Sequence, residues 1–262
     1  MGAVPLESAS MNALDCTTAI AEPLGTLGAS FYFSPQAIAI GETIELDVVT
    51  FYAAGRGGVL GDIDVIEVDE VFFFFKDGMV ASIMEKARAG APRDLAVTKH
   101  LEAASAFAND TFGGIDESTL DAFIAAASAL VGTLPTGRWP IVDGYRSLPI
   151  PSGSAAAAYQ FAVIIREVRG GVHTDAIKAA GLSDAEAVQL YAGGSMLGLH
   201  GYGEDDTVEE TPELIARRIA AEDDTNARMV SLLESLSDTQ REALVAGSDA
   251  MLAALANPVP IN

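Results

Sequence analysis

The sequence is poorest in the groups on which most protein chemistry relies. One cysteine, Cys16, stands among 262 residues, which excludes an internal disulfide and leaves any zinc site to histidine and carboxylates. Basic side chains are also scarce: 15 Lys and Arg face 37 Asp and Glu, a formal charge of −22. Such a surface repels phosphate backbones and anionic lipid headgroups, so neither nucleic acid nor a membrane is an expected partner. No apolar run approaches the roughly 20 residues that span a bilayer. Residues 1–15 carry Glu7 and Asp15 and no basic leader region, so with the lone thiol a cytoplasmic location is expected.

Missing motifs narrow the chemistry further. There is no Gly-x-Ser-x-Gly elbow, and Gly55-Arg56-Gly57-Gly58 is neither a dinucleotide fingerprint nor a phosphate loop. The acids Asp62, Asp64, Glu67, Asp69 and Glu70 lack the central glycine of a calcium loop and read as a solvated helix start. The three histidines, His100, His173 and His200, are scattered, and His100 and Glu102 fall on different helical faces. No metal and no cofactor is expected, and whether the protein is an enzyme stays open.

What is present is apolar. Half of the chain is hydrophobic and the mean hydropathy is +0.29, enough for a real core and too much for disorder. Ser237 with Gln240 marks a helix over 238–256, and Thr211-Pro212 opens a long one to 236 with a polar middle. Both carry apolar stripes, which could pair two copies of the chain. Ser118 with Asp121 is expected to open a helix ending at Gly132, and Pro92 one running to about Phe107. Period alone leaves 43–49 and 62–71 open between strand and helix. Breakers crowd 132–154, which reads as a connector between an N-terminal unit, 1–131, and a C-terminal unit, 155–262. There Ala155–Arg169 is expected to stop at Gly170-Gly171 and a short helix to follow from Thr174. Gly181 and the Ser183/Glu186 capping box then make a helix-turn-helix.

Three stretches carry a family resemblance: Glu22-Pro23-Leu24 through Phe31-Tyr32-Phe33-Ser34-Pro35, Phe51-Tyr52-Ala53-Ala54-Gly55-Arg56 through Gly61, and Arg166-Glu167-Val168-Arg169-Gly170-Gly171-Val172-His173 onward to Leu182. In these the chain resembles the SalK-like helix-turn-helix family of actinobacteria. The resemblance implies a mainly α fold with a winged-helix-like C-terminal part, and architecture rather than an activity. The chain departs from a DNA reader, because a recognition helix over 184–195 would offer Asp184, Glu186, Gln189 and Tyr191. A wing would offer Glu204, Asp205, Asp206, Glu209, Glu210 and Glu213.

The densest polar group within apolar sequence is Arg166-Glu167-Arg169 with His173. Two readings stand: arginines capping a helix C-terminus, or a polar edge facing a pocket, with Glu167 holding an arginine and His173 titrating near neutrality. Aromatics concentrate in the first third, and Phe51, Tyr52, Arg56 and Phe74 are candidate lining residues beside Arg166 and Arg169. The expected function is small-molecule binding in an aromatic pocket between two packed helical halves. The alternatives are acid/base catalysis with His173 as base and Glu167 orienting it, and a ligand-responsive winged-helix regulator.

Overall fold

The computed structural model describes residues 10–191 and 194–256, and among these every regular element is helical. The helices are α1 (Ala13–Ala29), α2 (Pro35–Glu42), α3 (Val48–Gly58), α4 (Val65–Val71), α5 (Met79–Gly90) and α6 (Arg93–Phe112), then α7 (Glu117–Thr133), α8 (Pro140–Arg146), α9 (Ser154–Ala179), α10 (Asp184–Gln189), α11 (Pro212–Leu233) and α12 (Asp238–Ala256). Side chains acting on backbone a few residues away start most of them. Asn12, Ser34, Asp47, Asp64, Ser183 and Thr211 each accept an otherwise orphaned first-turn N–H. Asp64 thereby makes 62–71 a helix start, while 43–45 is a turn, after which Asp47 caps α3. Asp116, not Ser118, caps α7 by accepting from the N–H groups of Ser118 and Thr119.

The central element is α9, against which α1, α6, α7, α8 and α11 all pack. Its N-terminal stretch from Ala155 to Ile165 is buried on every face. One core cluster draws side chains from α1 to α9, α11 and α12, so residues on both sides of 132–154 share it. That segment also contains α8: Pro140 occupies the first helical position, where its missing N–H has no partner to lose, and Ile141, Val142 and Tyr145 are buried.

The expected break at Gly170-Gly171 is absent, and α9 runs through both glycines. Their context explains Gly171. A Cβ there would lie 2.6 Å from the Trp139 ring, so the glycine admits Trp139, whose indole N–H donates to Asp175 at 3.2 Å. Trp139 plugs the α8–α9 contact and Thr174, expected as a cap, sits mid-helix, its hydroxyl donating to the Gly170 carbonyl.

After α9 the chain turns through Gly181, at φ +69°, into α10, and Leu182 seats in a second cluster with Ala176, Ile177, Ala187 and Leu214. The helix-turn-helix is thus formed, but α10 ends at Gln189, short of the expected 195, while Ala192 and Gly193, like 1–9 and 257–262, lie outside the described residues. No strand ribbon stands where a wing was expected; 204–206 is a single 3₁₀ turn. The stripes expected to pair two copies are largely used within the chain. Met229, Leu233, Leu244 and Met251 are in the main core, which leaves Ile215 and Ile219 exposed on α11.

Gly171→Ala forces the Trp139 contact apart and is expected to cost about 1–3 kcal/mol, the usual penalty of overpacking. Thermal melts check this, and an unchanged melting temperature would refute the steric role.

Candidate functional site

Glu167 lies on α9, 1% exposed, directly after the fully apolar stretch. A carboxylate so placed must be paired. Arg56 of α3 grips it with two prongs, Nη2 to Oε2 at 2.7 Å and Nε to Oε1 at 3.0 Å, and Arg166 adds Nη1 to Oε1 at 2.7 Å. Burial alone would raise the Glu167 pKa, but Arg56 and Arg166 outweigh it and hold the carboxyl at about 2. The Arg56 guanidinium also donates to the Tyr52 hydroxyl at 3.3 Å and lies 4.4 Å from the Phe72 ring centre.

A buried polar chain continues inward. The Tyr32 hydroxyl lies 3.5 Å from Glu167 Oε1, the Tyr32 ring packs against the His100 ring, and the Tyr145 hydroxyl meets His100 Nε2 at 3.0 Å. Burial, reinforced by Arg56, lowers the His100 pKa to about 3, so this ring is neutral at physiological pH. Gly55 admits it, since a Cβ there would overlap the imidazole at 2.1 Å from Nδ1. A void of about 10 Å³ borders His100, Tyr145, Phe31, Ser105 and Gln160, room for one water and no metabolite.

A second cluster lies further along α9. Glu222 of α11 accepts from Arg169 and, at 3.2 Å, from Arg218, while Arg169 also donates to the Asn226 side chain at 3.3 Å. His173 Nδ1 sits 2.9 Å from the Thr225 hydroxyl, whose own hydrogen is given to the Ala221 carbonyl at 2.7 Å. Nδ1 must therefore carry the proton, which leaves Nε2 as an acceptor. Burial, then Arg218, lowers the His173 pKa to about 4, and the Phe74 ring stacks on it at 5.9 Å.

These positions sort the expected site residues. Tyr52, Arg56, Arg166 and Glu167 converge; Arg169, His173 and Phe74 form the second group; Phe51, 1% exposed, is core beside the His100 ring. The helix-cap reading of the arginines fails because α9 continues past them. His173 and Glu167 are not one dyad, since Glu167 is taken up by guanidiniums and His173 by Thr225. The enclosed aromatic pocket expected around Arg56 is filled by Tyr32, Tyr52 and Phe72. A recess of about 280 Å³ opens elsewhere, beside Glu45, Asp47, Thr50 and Lys86. Tyr32, His100 and Tyr145 were not expected as site residues. A histidine on an otherwise apolar α6 face, needing a buried partner, was the one available signal.

His200 accepts at neither cluster: its Nδ1 meets the Met196 carbonyl and its ring packs on Phe75. Among the described residues no three His, Cys, Asp or Glu are arranged to hold a metal, and no helix is long and apolar enough to cross a membrane. Gln189, which a recognition helix would offer to a DNA groove, is buried, with its amide clamped to the Val208 backbone at 2.8 and 2.9 Å. Residues 17–259 match a family described as a helix-turn-helix family, and no curated protein and no solved structure matches the chain.

Two acid transitions follow. Neutral His100 and His173 contribute stability that is complete above the ordinary histidine pKa of 6.5 and is lost as pH falls towards 4 and 3. The Glu167 contribution is complete above 4.5 and is lost towards 2. Unfolding free energy should therefore drop below pH 6.5 by up to about 1.4 kcal/mol per pH unit for each histidine. His173→Asn should flatten part of that slope in denaturant titrations, and an identical slope in the variant would contradict the assignment. Glu167→Gln leaves two guanidiniums unpaired and should cost about 3–5 kcal/mol.

Proposed function

The chain belongs to this helix-turn-helix family, and from that premise we propose that it is a small-molecule-binding protein whose ligand is held at the polar edge of α9. One observation carries the reading. Four guanidiniums, those of Arg56 on α3, Arg166 and Arg169 on α9 and Arg218 on α11, share two carboxylates, Glu167 on α9 and Glu222 on α11. In a protein with 15 basic residues and a charge of −22, this is a focus of positive potential inside an anionic shell. Such a shell turns polyanions away, while partly dry walls strengthen attraction for one small anion. The finer resemblance to the SalK-like group of actinobacteria, a natural-product ligand and a cytoplasmic location belong with this proposal. A homodimer through α11 would rest on exposed Ile215 and Ile219.

The family itself favours a second reading, a ligand-responsive regulator that touches DNA through α10. Against it, α10 offers Asp184 and Glu186 in its first turn, and Glu204, Asp205, Glu209 and Glu210 follow. No mobility shift at about 50 mM salt with a pool of operator-length duplexes is the expected result; a salt-sensitive shift there would replace the first reading with the second.

Native mass spectrometry of protein purified from its own host should find a retained small molecule. Saturating that compound at 100 times its Kd adds about 2.7 kcal/mol, several degrees of melting temperature for a chain of this length. Arg166→Gln should lose the increase and Arg88→Gln, at an exposed arginine of α5 bonded to the Ile63 carbonyl, should keep it. A bare mass together with melts indifferent to every compound tried would end the proposal.

A further inference from the structure

Gly170 has no structural reason to be glycine. It lies in the interior of α9, where glycine weakens a helix relative to alanine, and a Cβ built on it meets nothing within 4 Å. The contrast with Gly171, whose Cβ would strike Trp139 at 2.6 Å, is direct. Helical spacing puts Gly170 one turn after Arg166 and one turn before His173, with Arg169 on the adjoining flank within one turn of both. These neighbours are neither sealed nor free: their side chains are 30%, 21% and 18% exposed for Arg166, Arg169 and His173. Phe74 stacks on His173 to make one wall, and Asn226 and Arg218 on α11 stand beside Arg169. Arg166 and Arg169 are like charges three residues apart, a pairing that opposes the helix. Each guanidinium has only a share of one carboxylate.

We propose that this α9 face, floored by Gly170 and flanked by Arg166, Arg169 and His173, is a groove for a small dianion, a phosphomonoester or a dicarboxylate. The inference rests on the binding reading above and gives it a place and a ligand class. Each Arg–carboxylate–Arg cluster carries one excess positive charge, so a ligand of charge near −2 neutralises both. A phosphomonoester has that charge near neutral pH, and planar guanidinium forks suit phosphate and carboxylate oxygens alike. The bare glycine lets the anion approach the helix where any side chain would stand in the way. His173, protonated on Nδ1 by its bond to Thr225, offers Nε2 as acceptor to a hydroxyl on the same ligand.

The test uses the full chain and four probes at matched ionic strength: inorganic phosphate, succinate, acetate and sodium chloride, read by thermal melts and calorimetric titration. Phosphate or succinate should raise the melting temperature by several degrees, with phosphate and succinate distinguishing the two ligand sources, whereas acetate should match chloride. Gly170→Leu should weaken dianion affinity at least tenfold without lowering the ligand-free melting temperature, because open space receives the side chain. Arg169→Gln should weaken it similarly. Equal responses to acetate and the dianions, or undiminished dianion binding by Gly170→Leu, would overturn the groove. Melts blind to both dianions alongside a neutral compound retained in native mass spectra would overturn it while the binding reading survives. Blind melts alongside a bare mass would remove both.

Discussion

The buried carboxylate of Glu167 constrains everything around it. A charge 1% exposed in an apolar helix costs several kcal/mol to desolvate, and only well-placed counter-charges make it tolerable. Arg56 and Arg166 supply them from two directions, with two bonds from α3 and one from the neighbouring position on α9. That demand ties α3, which packs on α5 and α6, to the central helix through Arg56. It also brings Tyr32, Tyr52 and Phe72 around the guanidinium and sets the Tyr32 ring beside His100, which is hydrogen-bonded to Tyr145. Space for these groups is made where glycine replaces a side chain, as at Gly55 beneath the imidazole.

The same pairing leaves an imbalance with functional weight. One carboxylate serving two arginines is repeated at Glu222, with Arg169 and Arg218, so positive charge accumulates along a helix inside a strongly acidic molecule. The net charge sets which partners approach from a distance, and the local surplus sets which can stay. On the proposed binding function, a long polyanion meets the first and a small ligand profits from the second. The helix-turn-helix, with Gln189 committed to the Val208 backbone, serves here to pack the end of α9 against the start of α11.

Features governed by a few neighbouring residues were legible in the sequence. The Ser237/Gln240 and Ser183/Glu186 boxes, Thr211-Pro212 and the Gly181 turn are all formed as read, because each is a side chain meeting backbone within about one helical turn. The charged residues 166, 167 and 169 stood out for a related reason, as ions embedded in apolar sequence. What was misread depends on distant partners. Gly170-Gly171 resembles a stop unless Trp139, some thirty positions earlier, is known to lie across it. Tyr145 was hidden in a proline- and glycine-rich segment whose Pro140 starts a helix instead of ending one. His100 carried a hint in its apolar surroundings, yet nothing local points from α6 to Tyr145 or from there to Tyr32. The enclosed pocket was expected because aromatics cluster in sequence; in space those rings pack on one another and on Arg56.

The claim on which the account turns is that surplus guanidinium charge on α9 is what a ligand meets. Nitrogen-15 spectra of the arginine Nε–H groups, recorded while inorganic phosphate is titrated into the labelled protein, address it directly. The account predicts saturable shifts for Arg166 and Arg169, with Arg88, Arg93 and Arg138 on the outer surface unmoved. Uniform, unsaturable drift of all arginine signals, or saturation confined to the outer ones, would contradict it.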